Sequence, residues 1–454
     1  MELKNEEIMP SEEIDRDLSL FDYTLLWAGM TIGIAGFAVG AQLYPGISPN
    51  GIIIATIIAY GFVTLLLVLI GDIGMKYGLP FTVYMRACFG YKGAHIPGII
   101  RTLPCLFWFG FQTWVGALAL NEILEVTVGF SNLTIVLLIF AALQVFNAIY
   151  GLKAMAKFDW IAIPLLAIVL AITAVWLLDI NNASINDVLA IKGDGTTAFS
   201  FAIAGVAGGW LTMALNGPDL TRKLKKPKDQ KDDSLTFLQL NKNAIIGQII
   251  GLIIVGGLVI FVGMISGVLT GTWNPIDVLV EAFESSNTFI LIAAFLTIIF
   301  AQWSTNTVSN LMPPTYILIN LFPKLTFANA TIISGILGVG IMPWLFGDYL
   351  VYVQAITSGL LGPIAGIMIA DYYFIRKRIL NVDDFYTPDG PFKYNNNFNI
   401  ASLISLISSC LIGLMLPDYS FFISLVLSII IYTVLMKNNW FNKKNDQQQI
   451  KEQL

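Results

Sequence analysis

The chain has 454 residues, of which 56% are hydrophobic and 12% charged, with 25 Lys+Arg against 30 Asp+Glu and a net charge of −5. A soluble domain carries about 25% charged residues, so this chain has too little polar surface to cover a water-soluble core. A soluble enzyme, a disordered chain and a secreted disulfide scaffold are excluded, and an all-α polytopic membrane protein is expected.

The opening segment, MELKNEEIMPSEEIDRD, is acidic and polar. It predicts a tail over 1–20 rather than a signal peptide. Beyond it, a membrane crossing needs about 20 mostly apolar residues. Twelve stretches qualify, near 21–45, 51–75, 98–121, 132–151, 159–179, 198–217, 243–270, 287–311, 329–347, 350–374, 398–416 and 419–437. A second polar tail follows over 438–454.

The first span, LLWAGMTIGIAGFAVGAQLYPG, carries Gly29, Gly33, Gly36 and Gly40. The sixth, FAIAGVAGGWLTMALNGPDLTR, carries Gly205, Gly208, Gly209 and Gly217, then Pro218. Unwound backbone in a bilayer is tolerated only where its freed carbonyls meet an ion, a ligand or another helix. Each of these spans opens a group of five, and the second group starts after an odd number of crossings, so it is inserted upside down. Matching glycine-interrupted helices in two inverted halves are the best sequence pointer to a transporter's binding site. This predicts a five-helix repeat over 21–180, its inverted counterpart over 181–378, and two additional C-terminal helices over 379–437. In the seventh span, Gly256, Gly257, Gly263 and Gly267 predict close helix packing by small residues.

Orientation follows from the basic residues. With the N-terminus cytoplasmic, the inner loops and tails hold 24 of the 25 Lys and Arg, including Arg222–Lys231 and Arg376–Arg378; Lys192 alone falls outside. Cytoplasmic enrichment of Lys and Arg is the strongest sequence rule for topology. Both termini are therefore expected in the cytoplasm, and the protein in the cytoplasmic (inner) membrane.

Polar groups at membrane depth are costly and therefore informative. Asp72, Asp159, Asp219 and Asp371 fall at cytoplasmic span ends and read as interfacial or loop charges; no carboxylate falls at the midplane. His95 is the one histidine, and Cys88, Cys105 and Cys410 show no CxxC spacing, so neither a metal centre nor an enzyme's relay is expected. The net negative charge leaves no footprint for nucleic acid. In the third span Trp108 and Gln112 are four apart and share a face. The eighth span turns polar at AQWSTNTVSN: Ala301, Ser304 and Thr305 share one face, Asn306 and Asn310 a neighbouring one. Two adjacent hydroxyls with unpaired carbonyls make a neutral oxygen cage, suited to a hard monovalent cation such as Na⁺.

Together, WFGFQTW in the third span, GGWLTMALNGPDLTR in the sixth, WSTNTVSN in the eighth and GPIAGIMIADYY in the tenth resemble the nucleobase:cation symporter-1 family. That family includes hydantoin, allantoin, uracil and cytosine permeases. The resemblance implies a twelve-helix, five-plus-five inverted-repeat fold with two C-terminal helices, alternating access and cation-coupled uptake. By position, it implies that Trp108 and Trp210 sandwich a planar heterocycle whose amide edge meets Gln112 and Asn310. Gly209 would add main-chain groups beside Trp210. Asn306 is a second amide candidate, favoured by similarity to cytosine permeases. Gly33, where hydantoin-type members carry a larger polar residue, is also assigned to the substrate site. The cation would meet carbonyls of Gly29, Ile32 and Ala301 and hydroxyls of Ser304 and Thr305.

The expected function is thus secondary transport, not catalysis. A small neutral heterocycle (hydantoin, allantoin, uracil, cytosine or a purine) enters the cell with Na⁺, or with H⁺ as the alternative. No cofactor is expected, and the protein is expected to act as a monomer in the lipid bilayer. The rival reading is an amino-acid or other small-molecule symporter of the same broad fold.

Overall fold

A backbone in hydrocarbon must satisfy its own hydrogen bonds, and the apolar runs accordingly fold as helices. The computed structural model describes residues 3–4, 8–150, 152–227, 235–274, 276–278, 280, 288–322 and 324–438, and no strand occurs among them. The helices are α1 (Leu20–Thr31), α2 (Ile34–Gln42), α3 (Pro49–Tyr77), α4 (Phe81–Phe89), α5 (His95–Val128), α6 (Leu133–Tyr150), α7 (Leu152–Ile180), α8 (Ile185–Ala190), α9 (Phe199–Leu215) and α10 (Gly217–Thr221). Then follow α11 (Lys242–Thr270), α12 (Thr288–Asn306), a π-helical stretch (Thr307–Leu311), α13 (Met312–Leu321), α14 (Phe327–Gly340), α15 (Leu350–Ile369), α16 (Ile400–Met415) and α17 (Ser420–Lys437).

Seven helices among the described residues are long and apolar enough to cross a membrane, and α1 with α2, bent by 50° at their junction, would make an eighth if the pair is one broken span. Four shorter apolar stretches, α9, α14, α16 and Leu291–Phe300 of α12, accompany them. The chain is a multi-pass helical membrane protein. Local chemistry sets several helix ends. Ser19 and Asp22 close a capping box on α1, and Ser48 caps α3 ahead of Pro49. Gly78, at φ 68°, ends α3 in the left-handed conformation that other residues adopt at a cost.

Small residues bring helices into backbone contact, as the seventh-span glycines predict. A Cβ on Gly263 would lie 2.0 Å from the Phe37 carbonyl oxygen of α2, and one on Gly40 would lie 2.2 Å from the Ile260 carbonyl oxygen. Gly257 meets nothing within 4 Å, so it has no such role.

The sixth span departs from expectation. α9 runs unbroken through Gly205, Gly208 and Gly209, and the chain turns only at Asn216, where α10 begins. The glycines serve packing instead: a Cβ on Gly208 would lie 1.9 Å from the Gln354 carbonyl oxygen of α15. Close approach of α15, rather than unwinding, is what α9 needs them for.

Two of the carboxylates at the span ends are buried within the protein rather than left on its surface. Asp72 and Asp371 are fully buried. Asp72 takes Arg378 at 2.9 Å on both oxygens, the Tyr372 hydroxyl at 2.8 Å and the Asn241 amide at 2.6 Å. Asp371 takes Arg376 at 2.7 Å and the hydroxyls of Tyr84 and Tyr432 at 2.8 and 2.7 Å. Burying a carboxylate is tolerated only with such pairing. The Asp219 side chain is half-buried, accepts from the Phe81 N–H at 3.0 Å and lies 3.7 Å from Arg101. The side chain of Asp159 lies outside the described residues. The polar tail is likewise docked: the buried guanidinium of Arg16 donates to carbonyls of Gly74 and Met75 at the end of α3 and of Thr221 and Leu224 after α10. A cation there satisfies helix-terminal carbonyls that have no donor of their own.

Candidate substrate and cation site

The junction of α1 and α2 opens the backbone. The Ile32 N–H still bonds the Ala28 carbonyl, but the Gly33 N–H turns to Thr31 at 2.8 Å. The Gly29 carbonyl thereby loses the donor that a continuous helix would supply. Gly33 is extended (φ −139°, ψ 158°), a conformation open to any residue, so the break does not depend on glycine's freedom. The Thr31 hydroxyl, donating to the Gly251 carbonyl at 2.7 Å, ties the junction to α11.

Beside this junction lies a small cavity of about 50 Å³. Thr31, Gly33 and Gly36 line it from the broken span, and Trp108 and Gln112 from α5. Gly209 and Trp210 line it from α9, Thr305 from α12, and Ser309 and Asn310 from the π-helical stretch. Residues separated by hundreds of positions thus meet. The two indoles border the same space without touching each other.

Trp210 is held in place from behind. Its Nε1 donates to the Tyr60 hydroxyl at 3.3 Å, the two rings meet edge to face at 6.4 Å, and Trp27 packs at 6.0 Å. Tyr60, buried and also lining the cavity, was not singled out from sequence because it sits in an ordinary apolar run. Tyr60→Phe keeps the ring and removes the tether. Ligand affinity is expected to fall by about three- to tenfold, the worth of one neutral hydrogen bond, in a binding titration; unchanged affinity would show that packing alone orients the indole.

The two asparagines separate in role. Asn306 is fully buried and faces away from the cavity. Its amide nitrogen lies 3.0 Å from the Phe109 carbonyl, 3.1 Å from the Thr113 hydroxyl and 3.0 Å from the Gln144 carbonyl oxygen. The Phe109 carbonyl can only accept, which fixes the nitrogen on that side. Asn306 Oδ1 therefore receives the Asn310 amide at 2.9 Å. With its nitrogen engaged, Asn310 keeps its own Oδ1 for the cavity. The expectation that Asn306 itself faces the ligand is not met: its donors are used up between α5 and α6. Gln144 was not singled out from sequence, and Thr113 entered only as part of WFGFQTW. Gln112 makes no hydrogen bond to any described residue, so its amide is free.

Gly209 also departs from its expected role. Lying inside α9, its N–H and carbonyl belong to the helix ladder, and its contribution is a missing side chain. Of the expected cation ligands, Gly29 and Thr305 adjoin: a Cβ on Gly29 would lie 3.8 Å from Thr305 Cγ2. Ile32 ends α1 in a non-helical conformation (φ −75°, ψ 73°), which takes its carbonyl out of the ladder. Ala301 lies on α12 one turn before Thr305 and Ser304 directly before it, both with side chains outside the described residues. The donor set is neutral oxygen throughout, and among the described residues no cluster of His, Cys, Asp or Glu could hold a metal.

A second, larger cavity, about 510 Å³, lies farther along the same helices. Asn216 and Asp219 line it where α9 has passed Met213, Met312 and Pro313 where the chain has passed Asn310, and Arg101 where α5 precedes Trp108. Asp17, Arg222 and Lys223 line it too, so this chamber is on the basic face. Arg101 bonds the Asn216 side chain across it.

A family model for permeases for cytosine/purines, uracil, thiamine and allantoin matches residues 10–441. The hydantoin permease of Microbacterium maritypicum is 30% identical over 437 residues, covering 96% of this chain and 89% of the relative. The allantoin permease of Bacillus subtilis is 30% identical over 481 residues, covering 96% and 93%. Among solved structures, Mhp1, a nucleobase-cation-symport-1 family transporter, in a closed conformation with bromovinylhydantoin bound, superposes with a TM-score of 0.89 at 28% identity, covering all of both chains.

Proposed function

We propose a transport function on this premise: the chain belongs to the family of permeases for cytosine/purines, uracil, thiamine and allantoin. The reading is cation-coupled uptake of a neutral nucleobase or ureide across the cytoplasmic membrane by alternating access. Both termini are placed in the cytoplasm, on the strength of the Lys and Arg distribution. Twelve crossings are inferred, with inverted halves over 21–180 and 181–378 and two further helices over 379–437. One observation carries the reading: the cavity beside the α1–α2 break gathers two indoles and the amides of Gln112 and Asn310. Indole faces stack on a flat ring with little regard to its substituents, while a primary amide supplies a donor and an acceptor matched to a ureide or imide edge. The relative that transports hydantoin and the fold relative with a hydantoin bound fit the same ligand class.

The cation is assigned to carbonyls of Gly29, Ile32 and Ala301 with hydroxyls of Ser304 and Thr305. It lies where α1 meets α12, so binding would hold these two helices together. Release toward the basic face would pass through the second cavity, between Asn216 and Met312. A thermal-shift screen of the purified protein tests the ligand class, using hydantoin, allantoin, uracil, cytosine, hypoxanthine and leucine, each with and without Na⁺. A ligand that binds the native state raises apparent stability by mass action. A shift with leucine alone, or with none of the rings, would defeat the proposal. For the ion, Thr305→Ala is expected to raise the Na⁺ concentration for half-maximal uptake by about tenfold. Substrate binding without Na⁺ should change little. Equal losses in both assays would remove Thr305 from the cation site.

A further inference from the structure

Gln354 is a long polar side chain of the cavity to which the assignments above give no role. Gln354, on α15, is 4% exposed and lines the same cavity as Trp108, Gln112, Trp210 and Asn310. Its amide makes no hydrogen bond to any described residue, although the helix around it is tightly tied. Ser358, one turn on, donates to the Ala204 carbonyl of α9 at 2.7 Å, and Gly208 of α9 packs on the Gln354 main chain. With its backbone pressed against α9, the side chain extends over Gly209. A Cβ built on Gly209 would lie 2.9 Å from Gln354 Nε2, 3.1 Å from Cδ and 3.3 Å from Oε1. All three amide atoms thus lie at similar distances from one point above Gly209, with the amide group laid across the bare backbone.

A buried amide that merely joined two helices would bond across the interface, as the Ser358 hydroxyl does. Gln354 does not, and an unpaired buried amide is expensive to maintain. We propose that Gln354 is a specificity-determining residue, a third amide of the substrate site, held into the cavity by the absence of a side chain at Gly209. The proposal rests on the transport reading and deepens it. Gln112 comes from α5, Asn310 from the π-helical stretch and Gln354 from α15. Amides converging from three helices select a flat ring with hydrogen-bonding atoms on more than one edge. Ureides, uracil and oxopurines have such edges; a ring with a single polar edge does not. Gly209 is then a specificity residue at one remove, acting through the position of the Gln354 amide.

The test uses the purified full-length protein and dissociation constants for hydantoin, allantoin, uracil and hypoxanthine. Gln354→Leu is expected to weaken the tightest of these about tenfold, the loss of one neutral hydrogen bond and the burial of an unmatched polar edge. Gly209→Ala is expected to weaken it by a comparable factor by displacing the amide. The double variant should be no weaker than the weaker single variant, because both remove the same contact. Gln354→Asn, one methylene shorter, should fall between wild type and Gln354→Leu, and it carries the test if the leucine variant fails to fold. Multiplying losses in the double variant, or wild-type affinity in Gln354→Leu for all four compounds, overturns the assignment of Gln354 and leaves the transport reading standing. Wild-type protein that binds none of the four overturns both.

Discussion

Trp210→Ala is expected to weaken heterocycle binding by about 1–3 kcal/mol, a five- to 150-fold loss, which is the worth of stacking a base on an aromatic face. The side chain is half-buried, borders the cavity and is tethered to Tyr60, so its loss removes a ring surface already fixed in place. Nothing behind it can fill the gap, because Trp27 is fully buried and packed on Tyr23 as well. Trp108→Ala should act comparably from the α5 side, where Phe107 and Phe111 meet its ring edge to face at 5.4 and 5.7 Å. Direct binding to purified protein and uptake into intact cells both report it. Unchanged kinetics in the two variants would remove the indoles from the site.

The largest stability loss is expected at Asp371. Asp371→Ala would leave the Arg376 guanidinium, 13% exposed, without its carboxylate, and the hydroxyls of Tyr84 and Tyr432 without an acceptor. Removing one partner of a buried ion pair costs about 3–5 kcal/mol, because the remaining charge stays desolvated. Asp371→Asn retains one acceptor oxygen and should lose less. Thermal unfolding in detergent measures both, and ligand affinity of the folded alanine variant should match wild type, since Asp371 is remote from the cavity lining. An alanine variant as stable as wild type would mean that Arg376 is satisfied by the Tyr394 hydroxyl and the Ala87 carbonyl alone.

Hydropathy made the membrane class and the positions of the apolar runs legible, since a stretch that must sit in hydrocarbon announces itself without reference to its neighbours. The helix starts at Ser19 and Ser48 are equally local: a cap acts on amides two or three residues away. Trp108 with Gln112 could be found because helical spacing puts them on one face, and the polar run at 302–310 because it interrupts an apolar helix. Motif resemblance brought Trp210 and Asn310 to them, and the fold does gather these four around one cavity.

What could not be read along the chain is whatever depends on which helix lies opposite. Glycine is used both where a helix opens and where two helices touch, so the break at Ile32–Gly33 and the unbroken α9 have the same composition. The difference is that α15 presses on Gly208. Asn306 and Asn310 are alike as residues, but an accepting carbonyl at Phe109 and an amide at Gln144 draw the first into the helix interface and leave the second facing the cavity. Tyr60 and Gln354 became site residues through neighbours 150 and 145 positions away, at Trp210 and Gly209. Polarity and spacing are properties of a segment; the direction of a hydrogen bond is a property of the pair that packing brings together.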